Sequence, residues 1–237
     1  MNVASASTGA RATRGRDKLS PDPAVRAAIL AAASEIVREQ GIQGISIGEI
    51  LERCQLGTRA FYRHFSSKDE LLVAVFLEMA RVETRRLRRK MKASTSSVDA
   101  VAAWVDGRLD LAFDSNVRSD LRFVSKEAQS LMVTSPPLVQ AAFGEMLKPL
   151  VEQLERGMRD GAFDDIDPVT DAQIIQGAVW ACIERQWATG DTIRADIRKR
   201  VIRSCLRSLG VGPEVIAEVL ALRLDSPTRS SAPRIRH

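Results

Sequence analysis

The apolar residues of this chain recur every three or four positions from Val25 onward, which is the spacing of amphipathic helices. No stretch shows the alternation of apolar and polar residues that is typical of a half-buried strand. Short polar segments, or Pro and Gly residues, separate the helical stretches. The sequence therefore predicts an all-α fold, with helices at about 23–40, 46–54, 58–64, 67–92, 97–114, 118–133, 136–161, 168–189, 191–209 and 213–224.

Two of these helices begin with a capping-box pattern, in which an N-cap serine precedes a glutamate by three residues. Ser46 stands before Glu49, and Ser67 stands before Glu70. After the first of these helices, the four-residue connection 54–57 leads to a short helix at about 58–64. Two short helices joined by such a turn, after a longer helix, have the outline of a helix-turn-helix module.

Charge is distributed unevenly along the chain, whose formal net charge is +5. Residues 1–92 hold 17 Lys and Arg against 10 Asp and Glu, whereas the remainder holds 18 against 20. A basic end on a near-neutral body indicates a polyanionic partner at that end, and a solvated basic face is the alternative.

The side chains of the short helix divide by direction. Its large apolar residues have the spacing to face inward, and the polar ones then point outward, with Leu56, Phe61 and Phe65 on the first face and Thr58, Arg59, Tyr62 and Arg63 on the second. Arginine can bond bidentately to guanine in the DNA major groove, and threonine offers a hydroxyl or a methyl group. Lys68 follows in the first turn of the next helix, where backbone N–H groups favour a phosphate.

The segment SIGEILERCQLGTRAFYRHFSSKDEL resembles the DNA-binding signature of the tetracycline-repressor-like (TetR/AcrR) family. Together with the preceding helix, the resemblance covers about residues 23–75. Cys54-Gln55-Leu56-Gly57 departs from the family's usual Ala-Gly-Val-Ser. The resemblance implies an N-terminal helix-turn-helix DNA-binding domain and a helical C-terminal domain that binds an effector and dimerises. The expected boundaries are 1–20 for a disordered basic arm, 21–66 and 67–224 for the two domains, and 225–237 for a disordered tail.

The same resemblance implies roles for individual residues. Thr58, Arg59 and Ala60 would approach base edges, and Ser46, Tyr62, Arg63, His64 and Lys68 would hold phosphates. Packing between helices is the alternative for Tyr62 and His64. The basic arm around Arg14 either reaches the adjacent minor groove or makes no contact.

In the C-terminal domain, the family's effector site and dimer helices provide further expectations. Candidate residues for a hydrophobic effector are Trp104, Phe123, Met132, Phe143, Trp180 and Glu184, although membership of the core is the alternative for the apolar ones. Candidate residues for a homodimer interface are Ile175, Val179, Ile183, Val201 and Leu206. Six basic residues between Arg85 and Lys92 are either solvated cations at a helix end or a patch for an acidic effector or partner.

Several classes of protein are disfavoured by the sequence. No apolar run is long enough to span a membrane, and no secretion signal is visible at the N-terminus, so we expect a cytoplasmic protein. The excess of 28 Arg over 7 Lys, together with abundant Ala, is typical of a GC-rich bacterial genome. Three cysteines without CxxC spacing argue against a zinc site, and no cofactor motif is present. His64 is the only internal histidine and lies in the DNA-facing helix, so we do not expect an enzyme.

The sequence thus predicts a DNA-binding transcriptional regulator. A ligand-responsive repressor that binds a pseudo-palindromic operator as a homodimer is the leading hypothesis. Activation of transcription is an alternative to repression, because the position of the operator decides which of the two follows from binding. A helical adaptor that does not bind DNA is the second alternative.

Overall fold

The computed structural model describes residues 22–114, 119–190 and 194–224, which form ten α-helices and no strand. The helices are α1 (Pro23–Gln40), α2 (Ile47–Cys54), α3 (Thr58–His64), α4 (Lys68–Met91), α5 (Ser97–Phe113), α6 (Ser119–Thr134), α7 (Pro136–Arg159), α8 (Pro168–Thr189), α9 (Arg194–Ser208) and α10 (Pro213–Leu224). The predicted all-α fold is confirmed. The predicted arm and tail, and the predicted helix starts at 118 and 191, lie outside the described residues.

The helices α2 and α4 begin at the predicted serines. The Ser46 hydroxyl accepts a hydrogen bond from the Glu49 N–H, and the Ser67 hydroxyl accepts one from the Glu70 N–H, both at 3.1 Å. Only this half of each capping box forms as predicted. The Glu70 carboxylate instead accepts from the N–H and the hydroxyl of Ser66.

The turn between α2 and α3 keeps a regular helix-end geometry despite its unusual residues. Gln55 adopts the left-handed conformation (φ 53°, ψ 42°), and the Leu56 N–H donates to the Leu51 carbonyl at 2.9 Å. This bond belongs to the Schellman motif, in which glycine is the preferred left-handed residue. Gly57 then occupies the N-cap of α3 without a capping side chain. The turn is therefore built from less favourable residues without losing its shape.

Two hydrophobic clusters lie along the fold. The N-terminal cluster joins α1, α2, α3 and the first half of α4 to Val124 of α6 and to Val139 and Ala142 of α7. The second cluster holds α5, the rest of α7, and α8, α9 and α10. Helix α4 contributes to both, with Leu71 in the first and Leu87 in the second, and it packs along α7.

Helix α5 lies at the centre of the second cluster and is buried on nearly all sides. It nevertheless carries three buried charged residues, Asp99, Arg108 and Asp110, and the half-buried Asp106. Buried charges require partners, so this helix fixes where ion pairs must form. Among the described helices, none has the length and apolarity that a membrane crossing needs.

Candidate nucleic-acid interface and effector cavity

The inner face of α3 anchors the helix in the N-terminal cluster. Phe61 and Phe65 are 0% and 1% exposed, with ring centroids 5.8 Å apart, and Leu56 packs against the same cluster. The predicted inward direction of these three side chains is confirmed. Because burial of two aromatic side chains stabilises the position of α3, the opposite face is presented to solvent in a fixed orientation.

The outer face of α3 is polar and accessible. Tyr62 is 57% exposed, and its ring lies edge-on to Phe61 at 5.3 Å and 85°. This exposure disfavours the alternative that Tyr62 packs between helices. Thr58 is also exposed, whereas Ala60 is half-buried. His64 is half-buried too, and its Nδ1 has no hydrogen-bond partner among the described residues, so packing stays a good alternative for this residue.

The positive charges on this face are not neutralised. Helix α3 contains no acidic residue, and Arg59 and Arg63 form no ion pair within the described part of the chain. Arg53 on the neighbouring α2 shows the contrast, because it pairs with Glu39 at 2.8 Å and with Glu49 at 3.0 Å. Exposed arginines without carboxylate partners are available to a polyanion.

Two residues of the predicted interface flank α3. Ser46 is exposed, and since its hydroxyl oxygen accepts from a backbone N–H, the hydroxyl proton is available for donation. Lys68 is the first residue of α4 and half-exposed, where its charge adds to the positive end of the helix. Both positions suit phosphate oxygens better than base edges.

Residues 29–75, which include α2, α3 and the start of α4, match the sequence model of the family described as "Bacterial regulatory proteins, tetR family". Over these residues the chain is therefore similar to the DNA-binding segment of TetR-family regulators. Members of this family are DNA-binding transcriptional regulators and not enzymes.

Other comparisons show similarity over a larger part of the chain. It is 28% identical to the A-factor receptor protein of Streptomyces griseus over 199 residues, which cover 81% of this chain and 65% of the receptor, slightly less than two thirds of its length. The fold resembles the resorcinol complex of RolR, with a TM-score of 0.61 and 18% identity, covering 84% of this chain and 93% of RolR. It also resembles FadR of Bacillus subtilis in complex with stearoyl-CoA (TM-score 0.58, 17% identity, 76% and 97% covered).

A cavity of about 60 Å³ lies where α4, α5, α6, α7 and α8 converge. Its lining is mostly apolar, but Glu83 and Arg108 contribute charged groups. A groove of about 650 Å³ between α6, α7 and α8 shares Gln129, Phe143 and Trp180 with this cavity. The two spaces together form the candidate effector site.

Only some of the predicted effector residues line the cavity or the groove. Phe143 and Trp180 line both spaces, and Met132 lines the groove. Trp104 is 0% exposed within the second cluster and is absent from both linings, so the core alternative describes it. Glu184 is on the exposed side of α8, away from both linings, and the side chain of Phe123 lies outside the described residues.

Sequence reasoning missed the charged residues at this site. Arg108 is 2% exposed and donates to Glu83 at 2.8 Å, while Arg86 donates to both oxygens of the same carboxylate at 2.8 Å. Although burial opposes it, the two guanidinium groups hold the pKa of Glu83 below its ordinary value. The available signal was the charged alternation at residues 106, 108 and 110 inside an apolar helix.

The basic run from Arg85 to Lys92 fits neither of its two expected roles completely. Arg86 and Lys90 turn inward and bind Asp110 of α5, at 3.2 and 2.7 Å. Arg88 pairs with Glu152 of α7 at 2.7 Å. Much of this run therefore joins α4 to its neighbouring helices, instead of forming a solvated helix end or a docking patch.

The residues predicted for the dimer interface require a correction. All five side chains, Ile175, Val179, Ile183, Val201 and Leu206, are at most 8% exposed in the single chain and pack in its second cluster. They hold α8 and α9 onto the fold, so they have almost no surface to offer a second copy. Contacts between copies would have to use the opposite faces of these helices.

Proposed function

We propose that the chain is a ligand-responsive transcriptional repressor of the bacterial cytoplasm that binds a pseudo-palindromic DNA operator as a homodimer. The observation that carries the proposal is the outer face of α3, which presents arginines without acidic partners on a helix anchored by buried aromatic residues. A helix of this kind fits the major groove and reads bases with its N-terminal residues.

The proposed contacts follow the direction and chemistry of each side chain. Thr58, Arg59 and Ala60 form the N-terminal turn of α3 and would reach base edges. Residues on either side of this turn would hold phosphates: Ser46, Tyr62, Arg63, His64 and Lys68. His64 is the weakest of them, because it is half-buried.

Arg59→Ala is expected to weaken binding to the preferred DNA site by about 1–3 kcal/mol and to leave binding to random DNA nearly unchanged. Arginine in the major groove discriminates between bases, so its loss removes sequence preference. Fluorescence anisotropy with a site enriched from random duplexes, and with a scrambled duplex of equal length, measures both affinities.

Lys68→Ala serves as the matched control for Arg59→Ala. It removes a phosphate contact, so binding to both duplexes should weaken alike, and the dependence of log K on log[salt] should become shallower by about one unit. An equal loss on both duplexes for Arg59→Ala would exclude the assignment of this residue to base reading.

The outer face of α8 is the proposed centre of the dimer interface. Its exposed residues recur at alternating four- and three-residue spacing, as in helices that pack along one another: Ile174, Ala178, Ala181, Arg185 and Ala188. Ile174 is 55% exposed, so its apolar side chain is available for burial against a second copy. Small residues beside it allow a second copy of α8 to approach closely.

Ala181→Glu is expected to shift the chain from dimer to monomer, because two like charges would be buried against each other at the dimer axis. Sedimentation velocity measures the change, and the affinity for a two-half-site duplex should fall with it. Ala141→Glu, at an exposed position of α7, is the control and should remain dimeric. A monomeric wild-type protein, or a dimeric Ala181→Glu variant, would count against this interface.

Helix α6 provides a physical connection between the effector site and the DNA-binding residues. Val124 lines the cavity and also packs in the N-terminal cluster. One turn later, the Glu127 carboxylate accepts from the Ile42 N–H, which follows α1. A ligand that displaces α6 would therefore shift the helix-turn-helix module. RolR with resorcinol and FadR with stearoyl-CoA support a small-molecule effector for this fold.

Helix α8 supplies the second part of the proposed response. Its inner face contributes Trp180 to the cavity, and its outer face carries the exposed residues of the proposed dimer interface. An effector that binds one arrangement of α8 better than another would change the separation of the two α3 helices. DNA affinity then falls through differential binding of two states.

A further inference from the structure

The cavity has one charged corner in a mostly apolar lining, whose other polar residues are Ser125 and Gln129 of α6. The aromatic and aliphatic side chains of α4, α6, α7 and α8 form most of its wall, including Phe76, Phe143 and Trp180. Glu83 and Arg108 form the corner on the side of α4 and α5. A ligand that fills this space must therefore be mainly apolar, with one polar group directed at these two residues.

Arg108 is incompletely satisfied by the protein. One of its terminal nitrogens donates to Glu83 at 2.8 Å, but its buried Nε has no hydrogen-bond partner among the described residues. The Glu83 carboxylate is shared, because Arg86 already binds both of its oxygens. An unmet charged donor in the interior is unfavourable, and burial accordingly lowers the pKa of Arg108.

The ion network around Arg108 has more positive than negative groups. Within the described residues it consists of four cations, Arg86, Lys90, Arg108 and Arg198, and three carboxylates, Glu83, Asp106 and Asp110. Lys90 is 37% exposed and can be stabilised by water, whereas the Arg108 side chain is 3% exposed. The cation that lacks both solvent and a carboxylate of its own is therefore the one at the cavity.

The neighbouring groove also has buried polar atoms that are available to a ligand. Trp180 Nε1 and both amide atoms of Gln176 are buried without a protein partner in the described part of the chain. Trp180 lines the cavity and the groove, and Gln176 lines the groove. The small cavity has room for a head group of a few atoms, and the larger groove has room for the body of the ligand.

We propose, resting on the ligand-responsive function above, that the effector is an apolar monocarboxylate whose carboxylate pairs with Arg108. The network has four cations and three carboxylates, so the single negative charge of the ligand makes it neutral. The carboxylate accepts from the unpartnered Nε edge of Arg108, while the apolar body packs on Phe143 and Trp180. A neutral isostere leaves Arg108 unmatched and binds more weakly.

The test compares aromatic and C4 to C10 aliphatic carboxylates with their own primary amides, by titration calorimetry on the full chain at pH 7. At least one acid should bind tenfold or more tightly than its amide, with one ligand per chain. Arg108→Met should remove this preference, and Arg108→Lys should retain part of it. Arg85→Met, at an exposed arginine of α4, is the matched control and should preserve the preference.

The comparison of acid with amide uses the wild-type protein, so it decides the proposal even if a variant fails to fold. Amides that bind as well as acids, no binding by any acid, or a preference that persists in Arg108→Met would each overturn the proposal. Operator binding without ligand tests the proposed function separately. Release of operator by neutral compounds alone would contradict the carboxylate and leave the repressor intact.

Discussion

Glu83→Gln is expected to lower the free energy of unfolding by about 3–5 kcal/mol. The Glu83 side chain is 4% exposed and accepts hydrogen bonds from Arg86 and Arg108. Glutamine keeps the shape of the side chain but removes its charge, so Arg108 would remain in the interior without a negative partner. Urea unfolding followed by circular dichroism measures the loss.

Arg108→Met is the matched variant and should behave differently. It removes the same ion pair from the other side, but it leaves three cations and three carboxylates in the network. Replacement of a buried charge by an apolar side chain of similar length is often neutral or stabilising, so unfolding should change by about 1 kcal/mol or less. A loss as large as that of Glu83→Gln would contradict an excess positive charge at the cavity.

The stabilisation that Glu83 provides has a pH dependence of known sign. The pKa of Glu83 is lowered below 4.5 against the effect of burial, by its bonds to Arg86 and Arg108. A lowered folded-state pKa means that this stabilisation is complete above the unfolded-state pKa and is lost as pH falls through the folded-state value. The wild-type protein should therefore lose stability on acidification, and Glu83→Gln should lose less over the same range.

Phe61→Ala is expected to lower the free energy of unfolding by about 3–5 kcal/mol and to abolish specific DNA binding. Phe61 is 0% exposed and contacts the rings of Tyr62 and Phe65, so truncation leaves a cavity beneath α3. The recognition helix then loses the packing that fixes its direction. Urea unfolding and anisotropy with the enriched duplex measure the two effects.

Tyr62→Ala, at the adjacent position, should separate these effects. Tyr62 is 57% exposed and contributes an edge-on contact with Phe61, so its truncation should change stability by about 1 kcal/mol or less. DNA affinity should nevertheless fall, because the proposed contact of Tyr62 with a phosphate would be lost. Unchanged DNA binding in Tyr62→Ala would place the DNA on another face of the module.

Local signals in the sequence predicted the N-terminal part of the fold well. Ser46 and Ser67 cap the helices that they were expected to cap, and α1 ends before Gly41 as predicted. The division of α3 into buried aromatic residues and exposed polar residues follows directly from helical spacing. These features depend on neighbours within about four residues, which a sequence displays.

The proposed effector and dimer surfaces depend on contacts between distant residues. Helix α8 is apolar on two sides, and its spacing alone does not reveal that Val179 packs in the core while Ala178 faces outward. Glu83 and Arg108 are 25 residues apart and meet only because α4 packs against α5. The packing of the helices, and not their formation, therefore determines which residues lie at both proposed sites.

Selection of binding sites from random DNA duplexes with the purified full chain tests the central claim most directly. The two α3 helices of a homodimer should enrich a pseudo-palindrome with half-sites about one helical turn apart, near 10 base pairs. The enriched duplex should bind two chains, and Arg59→Ala should lose the half-site preference. Failure to enrich any sequence, with the wild-type protein folded and dimeric, would contradict a sequence-specific DNA-binding regulator.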